Sequence, residues 1–410
     1  MPTFIAVEEA QEQILSRIPA TSVERVHLGA GAGRFLAKPI RAPWNSPRFD
    51  NSAMDGYALR WDDLNPIPVT LDITGESAAG SPADQVVQPG QAFVISTGAA
   101  IPSGADTVVP RELCNAVEGR VTIEESPAAG KGANIRYGGT YMSAGDTAIW
   151  PGTKLGGAEI GMIASFGRPI VEVHARPRVA IISTGSELVD LGQTPGPGQI
   201  INSNAYMLEA LVTDHGGVPR VYPTAPDDRQ AIYRTFQQAV ADCDLVLSSG
   251  GVSVGDHDHV GSVVDELCDG MTFWKVRIKP GKPLAFGVAH SGTRPVPLIG
   301  LPGNPGAGFV SFHLYVRPAL AVAQGASIAE APLPHTTAVL RGGQVNGSRG
   351  RRTYLAGRVS SEGQSLAFQP RPHQSSGNPA LFAGINALGI IEEGRSHVKD
   401  GSEITIHLLD

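Results

Sequence analysis

Apolar and polar positions change rhythm along the 410-residue chain. Near the start, Ile14, Leu15 and Ile18 recur at helical spacing and Pro19 lies beyond them, which predicts an amphipathic helix within residues 1–27. From about Leu28 to Arg176 the texture is one of short alternating runs, such as PVTLDITG, QAFVISTG and GRVTIEES, broken by Gly/Pro turns. This is all-β character, with one short helix expected over Gly156–Phe166. From Arg178 buried-strand runs (RVAIISTG, GVPRVYPT, DLVLSSGG, TFWKVRI, PLAFGV, VPLIGLPG) alternate with helical patterns. One helix follows Asn202 or Ser203 as cap and stops at Gly216. Such alternation predicts a mostly parallel sheet with right-handed crossovers. After about Ala329 short strands return, in HTTAVL, RTYLAGRV, QSLAFQP and EITIHLL.

Composition narrows the class. Aromatics are sparse at 6%, while 50 Gly and 32 Pro fit many tight turns. A net charge of −7 argues against a general nucleic-acid or anionic-membrane binder. Arg349, Arg351 and Arg352 form one basic spot, read as a solvated loop. Cys114, Cys243 and Cys268 are widely spaced and odd in number, which argues against a disulfide framework or a thiolate zinc site. No signal pattern and no apolar run approaching membrane length is present, so a cytoplasmic location is expected.

Candidate chemistry gathers in loops that follow strands, where ligands of a doubly wound sheet sit. They are STGSEL (Ser183–Leu188), PDD (Pro226–Asp228), SSGGVSVGDHD (Ser248–Asp258) and LPGNP (Leu301–Pro305), with KPGKP (Lys279–Pro283) nearby. Glycines allow close backbone approach and helix starts favour anions. Lys279 and Lys282 add positive charge, while Glu187, Asp227, Asp228, Asp256 and Asp258 offer hard oxygen ligands for Mg²⁺. Together these groups point to a phosphorylated or nucleotide-bearing ligand with a divalent ion. Asp227, Asp228 and Asp258 also have the residue type of helix caps and first-turn acids. His257 and His259 lack zinc-enzyme spacing, and Walker A, GxGxxG and GxSxG patterns are absent. In the N-terminal β region, NSAMDGYA (Asn51–Ala58) places Asp55 in an Asp-Gly turn, and STGAAIPSGADTVV (Ser96–Val109) carries Thr97.

NSAMDGYA, STGAAIPSGADTVV, STGSEL, SSGGVSVGDHD, KPGKP and LPGNP occur in the order seen in molybdopterin molybdenumtransferases, the bacterial MoeA proteins related to the C-terminal part of gephyrin. The resemblance spans about Val7 to Leu409. It implies a multidomain α/β plus β fold. A helix in 1–27 packs on an α/β molybdopterin-binding domain over 177–327. A connecting β-rich domain comprises 28–48 and 136–176, with an inserted β domain over 49–135. A small β-barrel-like domain covers 328–410.

The implied activity is insertion of molybdate into adenylylated molybdopterin with loss of AMP, assisted by Mg²⁺. The resemblance also implies a homodimer whose site lies between the α/β domain of one subunit and the N-terminal β domain of the other. Transient contact with a molybdopterin adenylyltransferase and with apo-molybdoenzymes would follow. Carried over residue by residue, Asp55, Thr97 and Glu187 are the catalytic candidates and Asp227, Asp228 and Asp258 the metal candidates. Ser183, Thr184, Gly185, Ser249, Gly250, Gly251, Ser253, Gly255, Lys279, Gly281, Lys282, Pro302, Gly303 and Asn304 are the binding set.

The chain departs from the family pattern at three places. Thr140 and Tyr141 stand where a Glu-Asp pair is usual, Gly306-Ala307-Gly308 replaces Val-Ser-Ala, and Ser186 replaces an acid. The alternative to an active transferase is therefore a turnover-poor paralogue that binds or carries the pterin nucleotide. A Mg²⁺-dependent nucleotidyl enzyme of the adenylyltransferase type is a third option, against which the added β domains weigh.

Overall fold

A computed structural model describes residues 3–251, 259–268 and 270–409. Ser253, Gly255, Asp256, His257 and Asp258 of the third loop lie outside the described residues. The chain forms two compact units. One comprises 1–38, 151–160 and 169–410, and the other 39–150 and 161–168.

The first unit is built on a seven-stranded sheet. Its strands are β1 (Thr3–Ile5), β2 (Arg178–Ser183), β3 (Val218–Val221), β4 (Leu245–Ser249), β5 (Phe273–Val276), β6 (Ala285–Ser291) and β7 (Arg294–Leu301). They lie in the order β1-β5-β6-β7-β4-β2-β3. All pairings are parallel except those of β6, which runs antiparallel to both neighbours. The expected mostly parallel sheet is therefore present. The strand β1 is an addition, because three residues ahead of a helix carry too little periodicity to reveal it.

Side chains alternate faces along a strand, and β2 shows the consequence. Val179 and Ile181 enter one core with helices α1 (Val7–Leu15) and α2 (Ser203–Asp214). Ala180 and Ile182 enter the opposite core with α3 (Arg229–Asp242) and α4 (His259–Leu267). Both faces are covered, which is why the strand reads as an unbroken apolar run. Asn202 caps α2 by accepting from the Ala205 amide at 3.3 Å, and Gly216, with φ +82°, follows its end. Past β7 the chain turns into α5 (Pro305–Ser311), a π-helical segment over Phe312–Val316, and α6 (Arg317–Ala323).

The C-terminal strands β8 (His335–Leu340), β9 (Arg352–Glu362), β10 (Ser365–Pro370), β11 (Ala387–Ile391) and β12 (Glu403–Leu408) close into a five-stranded barrel. Closure is made by pairing of β9 with β11. Phe368, Leu340, Leu355 and Ile406 fill its interior.

The second unit holds a six-stranded sheet ordered Thr107–Pro110, Gly56–Leu59, Gln91–Ile95, Val69–Ser77, Arg120–Ile123 and Cys114–Val117. Leu59, Leu71, Val109, Val121 and Ile123 form its core. Among the described residues no helix is long and apolar enough to cross a membrane.

Candidate functional site

The loops after β2, β4 and β7 emerge at one edge of the first unit's sheet, as parallel strands require. Together with KPGKP and barrel residues they line a cleft of about 1140 Å³. Thr184, Glu187, Ser249, Gly250, Gly251, Lys279, Gly281, Lys282, Pro302, Gly303 and Asn304 all face it.

Backbone geometry makes that convergence possible. Gly251 has φ +67°, and a Cβ there would meet the Thr184 hydroxyl at 2.7 Å and overlap the Val260 side chain. The third loop thus passes close over the first because it lacks a side chain at this point. Asn204, at the start of α2, ties three elements together. Its Nδ2 donates to Ser249 Oγ at 2.8 Å and to the Gly303 carbonyl at 2.7 Å.

Other candidates do not line the cleft. Ser183 is buried, and its hydroxyl bonds the Asn202 side chain at 3.1 Å, supporting the α2 cap. The Gly185 amide donates to the Ala225 carbonyl at 3.4 Å. Asp227 accepts from the Ser186 amide at 2.9 Å and so fixes the STGSEL loop beside Glu187. Its neighbour Asp228 is the N-cap of α3 and accepts from the Ala231 amide at 2.7 Å. The two acids, equivalent by sequence, have different tasks.

Asp55 and Thr97 belong to the second unit and meet each other there. The Thr97 amide and hydroxyl both donate to Asp55 Oδ1, at 2.7 and 2.9 Å. These bonds, the amide's foremost, hold the carboxyl below the usual aspartate range. Two backbone bonds tie the supporting turn: the Gly98 amide donates to the Ser52 carbonyl at 2.8 Å and the Ser52 amide to the Ala99 carbonyl at 3.0 Å.

The barrel's contribution to the cleft is the largest feature that sequence reasoning missed. Arg351, Thr353, Tyr354, Arg371, His373 and Gln374 all line it. The basic spot at Arg349–Arg352 is not simply a solvated loop. Arg351 faces the cleft, while Arg352 points the other way and pairs with Glu8 and, at 2.8 Å, with Glu392. Burial pushes the Tyr354 hydroxyl up, so it stays protonated.

Among the described lining residues, the charged groups are Lys279, Lys282, Arg351 and Arg371 against Glu187. Four cations facing one carboxylate in a walled cleft concentrate anions. Two of the cations are arginines, whose planar fork suits oxyanions. The described acids do not form a cluster of three metal-ligating side chains. Mg²⁺ does not require one, since it commonly takes one or two carboxylates with phosphate oxygens and water.

The same segments match domains of known proteins. Residues 5–167 match the MoeA N-terminal region (domains I and II), 180–322 a probable molybdopterin binding domain, and 342–409 the MoeA C-terminal region (domain IV). A molybdopterin molybdenumtransferase of Nostoc sp. is 38% identical over 93% of this chain and 88% of its own length. One from Haemophilus influenzae is 33% identical over 99% of this chain and 100% of its own. The crystal structure of the molybdopterin biosynthesis moeA protein from Pyrococcus horikoshii OT3 superposes with a TM-score of 0.84. It is 29% identical and covers 99% of this chain and 100% of that one. The chain belongs to the molybdopterin molybdenumtransferase family.

Proposed function

We propose that this protein acts in molybdenum cofactor biosynthesis, ligating molybdate to the dithiolene of adenylylated molybdopterin, with one molybdate oxygen leaving as water with the two thiol protons, while a second water cleaves the phosphoanhydride so that AMP leaves and the other phosphate stays on the pterin. The observation that carries the reading is the cleft lined by Lys279, Lys282, Arg351 and Arg371 at the carboxyl edge of the sheet. Such a site suits a substrate whose pyrophosphate and incoming molybdate are both anionic.

In this reading the lysines and arginines hold the oxyanions, and Gly250 and Gly251 let backbone amides approach the pyrophosphate. Glu187, on the wall, orients water or molybdate by hydrogen bonding. Mg²⁺ would neutralise phosphate charge, with Asp227 and Asp258 as its carboxylates and Asp228 kept as a helix cap. Asp55 and Thr97 complete the site from a second copy of the chain, so the working form is a homodimer in the cytoplasm. The α/β segment 177–327 and the barrel segment 328–410 act as separate domains that share the cleft.

Anaerobic incubation with adenylylated molybdopterin, Mg²⁺ and molybdate, with AMP followed over time, tests the proposal. Sustained, molybdate-dependent AMP release is expected. The carrier reading is favoured by Thr140 and Tyr141. Both occupy an exposed turn, and the Thr140 hydroxyl donates to the Tyr137 carbonyl at 2.6 Å. Tight substrate binding without AMP release would choose the carrier.

A further inference from the structure

The start of α5, Gly306-Ala307-Gly308, is one of the three places where the chain departs from the family pattern, and this departure has a partner in the barrel. A Cβ at Gly306 would overlap the outer edge of the Phe382 ring and approach the Ser376 carbonyl at 3.0 Å. The ring therefore rests on a bare Cα. The contact is reinforced on both sides. The Gly306 amide donates to the Ser376 carbonyl at 2.8 Å, and Asn304 Nδ2 to Ser376 Oγ at 3.3 Å. Phe382 also packs against Phe309, one turn into the helix, with ring centroids 4.9 Å apart.

These contacts join two walls of one cleft. Pro302–Pro305 and Ala307 form one; Arg371, His373, Gln374 and Ser376 belong to the other. The second wall is part of a segment tied at its ends. Arg371 Nη2 donates to the Ala383 carbonyl at 2.7 Å, and Gln374 exchanges hydrogen bonds with the Ala356 backbone at 2.9 and 3.0 Å. Phe382 lies in this segment yet does not line the cleft. A shift of the ring would be transmitted to Arg371 through the adjoining Ala383 carbonyl.

We propose that Phe382 is a positioning residue whose seat on Gly306 sets the separation between the LPGNP turn and the Arg371–Ser376 wall, and thereby the affinity for the anionic substrate. The proposal rests on the reading that this cleft holds adenylylated molybdopterin. It gives the bare Cα at 306 a function, since a side chain there would push the cationic wall away.

The test is steady-state AMP release by Gly306→Ala, Phe382→Leu and the double variant, with thermal unfolding recorded for each. Gly306→Ala is expected to raise KM for adenylylated molybdopterin about tenfold with kcat within about twofold. Phe382→Leu removes the ring atoms that the new methyl would strike, so the double variant is expected to return to within about threefold of the wild-type KM. A purely structural contact would lower the Tm of both single variants and leave KM unmoved, and that result would overturn the proposal. If Gly306→Ala does not fold, Phe382→Leu alone decides. A KM about threefold higher at near wild-type Tm supports the proposal, and an unchanged KM defeats it. Wild-type protein that fails to bind adenylylated molybdopterin would remove the substrate reading and this inference with it. Normal wild-type binding with indifferent variants removes only the inference.

Discussion

The Asp55 carboxylate receives two hydrogen bonds from one residue, Thr97, and both favour its charged form. Its pKa in the folded protein lies below the ordinary aspartate value of about 4. The stabilisation these bonds provide is present above that ordinary value and is lost as pH falls through the lower folded pKa. Thr97→Val removes the hydroxyl and keeps the amide, so the Asp55 pKa should rise part of the way back. Carboxyl NMR titration reads this directly, and an unchanged value would mean that the hydroxyl contributes nothing. In the first unit, the consecutive acids Asp227 and Asp228 allow a second comparison. Asp228→Ala deletes a helix cap and should cost about 1 kcal/mol, seen as a lower urea midpoint, with kcat/KM little changed. If Asp227 helps to hold Mg²⁺ as proposed, Asp227→Asn should do the reverse, lowering AMP release in the presence of Mg²⁺ about tenfold or more with a near wild-type midpoint. Two adjacent aspartates carry no sequence signal for this division. It arises from which carboxylate meets the first free amides of α3.

Among elements, the strand–loop–helix alternation from Arg178 onward was legible because each central strand is buried on both faces and each loop leaves at a carboxyl end. The convergence of Thr184, Ser249 and Gly303 on one rim follows from those two facts. The barrel's part in the cleft was not legible. Arg351 and Arg371 precede or follow strands whose own patterns speak only of a small β core, and closure through the β9–β11 pairing brings non-local residues together. The three-residue β1 was hidden for lack of periodicity. Asn204 was likewise silent, since an Asn in the first turn of a helix reads as a cap or a surface residue. Here its amide joins α2 to the ends of β4 and β7. Asn204→Leu removes both bonds at a site only 8% exposed and leaves the Gly303 carbonyl without this donor. The expected loss is about 1–3 kcal/mol in urea unfolding, with a higher KM because Gly303 is released from Ser249. Wild-type stability in that variant would show that the tie between these loops carries no net energy.

At the level of the whole molecule, the candidate groups fall into two sets. Lys279, Lys282, Arg351 and Glu187 belong to the first unit, and Asp55 with Thr97 to the second. If the working site draws one set from each of two copies, as the dimer proposal states, the sets can be disabled on separate chains. Asp55→Ala and Lys282→Ala, each inactive alone, are mixed after reversible dissociation. In a randomly re-formed population about half the dimers carry one chain of each kind. Within such a dimer, one site inherits both lesions and the other inherits neither. One intact site in every four is the result, so about a quarter of wild-type AMP release should return. A site drawn wholly from one chain gives a different outcome, because every site then carries one lesion and mixing restores nothing. The controls are each variant re-formed with itself, which must stay inactive, and wild type re-formed with itself, which sets the full scale. Because both substitutions remove exposed side chains without touching a core, the recovered activity reports the assignment of residues to sites rather than rescue of folding.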